Sequence, residues 1–327
     1  MKALQVLKYG DLEESLAFRE VSKPGIGATD VLIVVRAAAI NPIDKSIILG
    51  NLQHILPIPL PSTSGYDVSG IVVEKGDQVS NFDIGDSVYA RLPQKQMGSL
   101  AEYAAVDIQA VSLKPENISF EEAASLPLAG LTALQSLEYV GLKDKDKILI
   151  HAGSGGVGSF AIQFAKAKGA HVYTTTSTRN VSWVKELGAD RVIDYKTEEY
   201  KSLVSEVDIV FDTLGKHYTE EAFQLIKQGG KVVSIAGPID EEGARIFGMN
   251  EYKLPEALSS SIHKKEASYK YLLMHPNGTQ LAEIKSLLER GKIKAVIDEI
   301  YSFEESIEAF KHLASGRAKG KIVIKIT

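Results

Sequence analysis

One stretch constrains this chain more than any other: Lys147-Ile148-Leu149-Ile150-His151, then Ala152-Gly153-Ser154-Gly155-Gly156-Val157-Gly158, then Ser159-Phe160-Ala161-Ile162-Gln163-Phe164-Ala165-Lys166. A short apolar run gives way to a glycine turn and then to an apolar pattern of helical period. That order predicts a buried strand, a tight turn and a helix. Gly153, Gly155 and Gly158 fit the G-x-G-x-x-G fingerprint of a dinucleotide site in the strand–turn–helix setting it requires. Gly153 is assigned the bend out of the strand, Gly155 the close approach of a diphosphate, and Gly158 the packing of the helix near the sheet. Backbone groups of Ser154, Gly155, Gly156 and Val157 then face the anion at the positive end of the helix dipole. A nicotinamide cofactor, and with it hydride transfer, is the chemistry implied; a plain strand-to-helix turn is the alternative.

The rest of the chain falls into two kinds of pattern. Short β-type runs separated by turn signals fill the first third: Val31–Val35, Gly70–Glu74, Asp86–Ala90 and Ala101–Val106. They predict a compact, mostly antiparallel β domain. Phe120 to Tyr139 then reads as helix with a break at Pro127. Strand candidates follow at Lys147–His151, His171–Thr175, Arg191–Asp194, Val207–Asp212, Lys231–Ala236 and Tyr269–Met274. Helices are expected between most of them, at Val157–Lys168, Val181–Leu187, Glu198–Val204 and Tyr218–Lys227. This alternation predicts a parallel, doubly wound sheet. Pro238–Lys265 reads as irregular. Two helices, Thr279–Glu289 and Glu305–Ala314, and a strand from Lys321 to Ile326 close the chain.

At 327 residues two domains are expected. The net charge of −5, with basic residues scattered, argues against a nucleic-acid or membrane-surface role. Cysteine is absent, which excludes disulfides and every thiolate-ligated zinc site. The start lacks the apolar core of a signal peptide and no apolar run reaches membrane-spanning length, so a cytoplasmic protein is expected.

The form of the cofactor is read from the end of the second strand, Val172-Tyr173-Thr174-Thr175-Thr176-Ser177-Thr178-Arg179. An NAD-type site carries a carboxylate there for the ribose 2′-hydroxyl. None is present; Ser177 offers a hydroxyl and Arg179 a guanidinium suited to a 2′-phosphate, which favours NADPH. The alternative for Arg179 is a solvated charge at a helix start. Tyr195, after Ile193-Asp194, either lines the adenosine end or seals a strand end.

The whole layout resembles the medium-chain dehydrogenase/reductase superfamily, specifically its zinc-independent quinone oxidoreductase and enone (alkenal) reductase branch. The resemblance is carried by Ala39-Ile40-Asn41-Pro42-Ile43-Asp44, Gly65-Tyr66-Asp67-Val68-Ser69-Gly70, Ala123 to Ala133, Gly153–Gly158, Gly188 to Tyr195 and Lys319-Gly320-Lys321-Ile322-Val323. It implies an α/β chain with a Rossmann doubly wound parallel sheet inserted into a GroES-like β domain. Residues 1–122 and 277–327 would form the GroES-like catalytic domain and 123–276 the NADP-binding domain, with the active site in the cleft between them. It also implies a homodimer joined by edge pairing near Tyr269–Met274. Asn41 and Leu128 stand near the cysteine ligands of the zinc-dependent members and Tyr66 near the histidine, so a catalytic zinc is not expected.

In that family setting Asn41, Thr132 and Tyr66 are the candidate catalytic residues. Asn41 donates to a carbonyl or holds the nicotinamide side, or it simply caps the helix that begins at Pro42. Thr132 lies beside the nicotinamide ribose by resemblance, or bonds back to its own helix. Tyr66 is a phenol able to polarise a carbonyl, or a packed strand residue. Lys321 approaches the cofactor by resemblance. The expected reaction is NADPH-dependent reduction of a small-molecule quinone or α,β-unsaturated carbonyl without zinc. The competing readings are an enoyl-thioester reductase and a non-catalytic NADPH-binding redox sensor.

Overall fold

The computed structural model describes residues 1–94, 96–249 and 251–326. The chain divides into two compact units, Met1–Leu131 with His275–Thr327, and Thr132–Met274.

The first unit opens with β1 (Lys2–Val6), α1 (Leu12–Ser15), β2 (Leu16–Glu20), β3 (Asp30–Ile40) and α2 (Pro42–Ile48). It continues with β4 (Ser62–Thr63), β5 (Asp67–Lys75), β6 (Ser87–Arg91), β7 (Tyr103–Asp107), β8 (Val111–Leu113) and α3 (Phe120–Ala124). Helix α4 (Pro127–Tyr139) holds the division between the units. The break expected at Pro127 separates α3 from α4, with proline at the first helical position where its missing N–H costs nothing. Ser119 and Glu122 close a capping box at the start of α3.

The second unit runs through β9 (Lys147–Ile150), α5 (Gly156–Ala167), β10 (His171–Thr176), α6 (Val181–Lys185), β11 (Arg191–Asp194) and α7 (Tyr200–Leu203). Next come β12 (Val207–Asp212), α8 (His217–Leu225), β13 (Ile226–Ser234), α9 (Glu241–Ile246), α10 (Glu256–Lys265) and β14 (Ser268–Tyr271). The chain then returns to the first unit with α11 (Gly278–Glu289), β15 (Ile297–Ser302), α12 (Ser306–Ala314) and β16 (Lys321–Lys325).

In the first unit the main sheet has the order β15-β16-β3-β5-β6-β8, with β7 also pairing β3. Its pairs are antiparallel except β15–β16. Strand β3 is central, and its buried Val31, Ile33 and Val35 pack with Val68, Val72 and Val88 into one core. Gly70 is obligatory at the β3–β5 crossing, because a Cβ there would lie 2.1 Å from the Val34 carbonyl oxygen. A smaller sheet, β2-β1-β4, was not legible in the sequence. β4 has only two residues, and β1 and β2 lack the strict alternation of a half-buried strand.

The second unit carries a parallel sheet in the order β11-β10-β9-β12-β13-β14. The strand order reverses at β9, the doubly wound switch point beyond whose carboxyl ends nucleotides bind. Two sequence expectations change here. The helix expected to reach Lys227 ends at Leu225, and β13 begins at once, turning through left-handed Gly229 (φ 71°). Pro238–Lys265 holds two helices: α9, capped by Asp240, and α10, whose serine-rich sequence hides its period.

Candidate active site

The glycine turn distributes its tasks differently from the sequence expectation. The left-handed residue after β9 is Ala152 (φ 49°), while Gly153 is not in that region. Gly153 is instead required by packing: a Cβ would lie 2.2 Å from Thr174 Oγ1 and 2.8 Å from Ile162 Cδ1. Gly158 does what was expected of it, since its Cβ would strike the Ala152 carbonyl oxygen at 2.3 Å. Gly155 differs from both. A Cβ there would have only ordinary contact, 3.4 Å from Ala152 O, so the chain's own packing makes no demand for glycine. An external group approaching the backbone does make that demand, which fits a diphosphate.

The donors of this turn are partly committed. Gly155 N–H donates to Ala152 O at 2.9 Å and Ser159 N–H to Gly155 O at 2.9 Å. Helix geometry leaves the N–H groups of Gly156, Val157 and Gly158 without intrahelical acceptors, and the chain from Ser154 to Val157 is only half-buried.

Beside this turn, the carboxyl ends of β10, β11 and β12 border a cavity of about 230 Å³ lined by Thr175, Tyr195, Glu198, Tyr200, Leu214 and Tyr218. Tyr195 is half-exposed there, with Lys196 Nζ 5.2 Å from its ring centroid. The loop after β10 holds Ser177, whose hydroxyl accepts from Asn180 Nδ2 at 3.3 Å, and the exposed Arg179. The sequence reading missed a carboxylate close by. Asp194, the last residue of β11, pairs in register with Thr176. The Thr178 hydroxyl and the Lys196 backbone N–H hold its carboxyl below the ordinary range. Only the strand register could reveal it, because Asp194 belongs to the neighbouring strand.

A buried pair fixes the end of β12. His151 Nδ1 lies 3.5 Å from Asp212 Oδ1. Burial works to raise the Asp212 pKa, but the His151 ring beside it and hydrogen bonds from Thr219, Gly215 and Leu214 outweigh it and hold the carboxyl well below its usual range. Asp212 thereby shapes the loop that carries Leu214 to the cavity.

In the first unit, Asn41 and Lys321 are brought together and Tyr66 is diverted. Asn41 precedes Pro42 at the start of α2, and Asp44 Oδ2 accepts its backbone N–H at 2.6 Å. Its side chain is 1% exposed. Asn41 Nδ2 donates to Asp67 Oδ2 at 2.9 Å, and Lys321 Nζ donates to Asn41 Oδ1. Lys321 also reaches Ile40 O at 3.2 Å and Asp67 Oδ2 at 3.3 Å. Asp67 Oδ1 accepts the Leu128 backbone N–H at 2.8 Å, tying the start of α4 into the same network. Capping by Asn41 and a chemical role are therefore compatible, because the side-chain amide and the backbone have separate partners.

The Tyr66 hydroxyl already has an acceptor within the protein. The residue is fully buried, its O–H donates to Gln94 O at 2.9 Å, and the Arg91 guanidinium covers its ring at 4.4 Å. Burial, aided by the charge of Asp44, pushes its pKa up, so it keeps its proton. Thr132 is buried in α4, and its carbonyl accepts the Ser136 hydroxyl at 2.7 Å.

Comparison with known proteins agrees with this architecture. Residues 27–116 match the family described as alcohol dehydrogenase GroES-like domain, and residues 187–324 that described as zinc-binding dehydrogenase. The chain is 38% identical to the 2-methylene-furan-3-one reductase of Solanum lycopersicum, over 99% of this chain and 79% of that protein. It is 36% identical to the chloroplastic NADPH-dependent alkenal/one oxidoreductase of Arabidopsis thaliana, over the same shares. The solved quinone oxidoreductase from Coxiella burnetii superposes with a TM-score of 0.87 at 34% identity, covering 100% of this chain and 99% of the other.

Proposed function

The chain belongs to the quinone oxidoreductase and enone reductase branch of the medium-chain dehydrogenase/reductase superfamily, and we propose that it is an NADPH-dependent reductase of a quinone or of the activated double bond of an enone or alkenal. One observation carries the reading: the β9–α5 turn, where a Cβ on Gly155 would meet only an ordinary contact, at the start of α5 where helix geometry leaves N–H groups without intrahelical acceptors. Ser154, Gly156 and Val157 would hold the diphosphate. Thr175, Tyr195 and Leu214 would border the adenosine, and Ser177 and Arg179 would hold the 2′-phosphate. When bound, the reduced nicotinamide supplies the hydride.

The remaining chemistry falls to the protein. An enone accepts hydride at its β-carbon because negative charge moves to the carbonyl oxygen, so the site must orient that oxygen and offer it a donor. Asn41 retains one amide hydrogen that Asp67 does not take, and this is the donor proposed. No metal is assigned to the reaction: the chain has no cysteine, and Asn41, Tyr66 and Leu128 occupy the positions that resemble zinc-ligand positions. The proton that completes the reduction is assigned to solvent, since the Tyr66 hydroxyl is spent on Gln94.

The test is the cofactor preference of Arg179→Asp. Its dissociation constant for NADPH should rise at least tenfold while that for NADH changes less than threefold, measured by nucleotide fluorescence. Equal losses for both cofactors would remove Arg179 from the 2′-phosphate site.

A further inference from the structure

We propose that Lys321 is a positioning residue and not a cofactor ligand: with Asp67 it fixes the direction in which the Asn41 amide faces and strengthens that amide's remaining N–H as a donor. The inference rests on the proposed reductase function for its kinetic meaning, but its structural content stands separately.

A lysine ammonium has three N–H donors and no acceptor. Lys321 Nζ has three acceptors around it, Asn41 Oδ1, Ile40 O at 3.2 Å and Asp67 Oδ2 at 3.3 Å, and its side chain is 4% exposed. No donor is left over for a phosphate.

The two ends of an asparagine carboxamide are nearly equal in shape and opposite in hydrogen-bonding sense. Asn41 stands between an ammonium, which only donates, and a carboxylate, which accepts. A flipped amide would point N–H at the ammonium and oxygen at the carboxylate, two repulsive contacts in a buried place. One orientation is therefore selected. An ammonium on the amide oxygen also draws electron density from the nitrogen, and such chains of hydrogen bonds reinforce one another. Asp67 shares its oxygens between this network and Leu128 N–H, so it cannot swing away without releasing the first turn of α4.

The experiment uses the full-length protein. Lys321→Met alone leaves Asp67 buried without its cation and risks failing to fold. The double variant Lys321→Met/Asp67→Asn removes both charges and keeps the volume. For that variant the NADPH dissociation constant and KM should stay within twofold, while kcat with an enone or quinone falls tenfold or more. Adding Asn41→Ala should then cost less than a further twofold in kcat, although Asn41→Ala alone costs tenfold or more. A tenfold rise in the NADPH dissociation constant with kcat preserved, or multiplicative losses with Asn41→Ala, would make Lys321 a cofactor ligand and overturn the proposal.

A wild-type protein that neither binds NADPH nor turns over would sink the functional reading instead. The positioning claim is then judged by NMR on protein with ¹⁵N-labelled asparagine. One Asn41 side-chain proton should exchange slowly in the wild type and quickly in Lys321→Met/Asp67→Asn; equal exchange in the two would overturn the claim.

Discussion

Asp44 is the residue whose chemistry departs furthest from what its place in a helix suggests. As the third residue of α2 it looks like an ordinary capping carboxylate, and it does accept the Asn41 backbone N–H. It is also fully buried. Burial raises its pKa to about 7, the nearby Asp67 charge adds to the rise, and Asn41 N–H, Lys321 and Arg91 only partly oppose it. The folded state thus favours the protonated form. The associated stability is complete below the unfolded value near 3.8 and is lost as pH rises towards about 7. The span corresponds to roughly 4 kcal/mol at about 1.36 kcal/mol per unit. Asp44→Asn, which cannot ionise, should gain stability relative to wild type between pH 5 and pH 8, read by urea unfolding at both. A difference independent of pH would mean that Asp44 ionises in the fold as it does in water. Asn41, its neighbour, was legible because Asn-Pro has a local meaning. Asp67 was not, because its partners Asn41, Leu128 and Lys321 are brought together only by the tertiary fold.

Helices and strands were legible where their signals are local. Strands β9 and β12 at the centre of the parallel sheet are buried and read as near-continuous apolar runs, and glycines mark several of the turns between the elements. β1, β2 and β4 escaped because strand pairing, not pattern, defines them. The glycine turn was recognised correctly while its internal division of labour was not, since close approach between Gly153 and Thr174 depends on β10 lying beside β9. That division can be tested within the one element. Gly158→Ala forces a Cβ against Ala152 O and should cost about 1–3 kcal/mol of stability. Gly155→Ala, with φ at −82° and only an ordinary contact, should leave thermal stability nearly unchanged yet weaken NADPH tenfold or more. If Gly155→Ala bound NADPH as the wild type does, the diphosphate would not lie on this turn.

For the molecule as a whole, the sequence showed two kinds of pattern and a fingerprint, but not the sheet orders. Strand order depends on which edge each crossover chooses, and β16 joining β3 across most of the chain's length leaves no local trace. Among the described residues no helix is long and apolar enough to cross a membrane. The chain has no cysteine to ligate a zinc through thiolate, and the proposed reaction, hydride addition to an already activated acceptor, asks for no such ion. The most direct measurement follows the hydrogen itself. Purified protein in excess chelator is given NADPH deuterated at the transferable C4 position and a simple alkenone, and the product is read by mass spectrometry and NMR. The account expects turnover with one deuterium at the former β-carbon and solvent hydrogen at the α-carbon; turnover that stops when metal is removed, or a product without the label at the β-carbon, would contradict it.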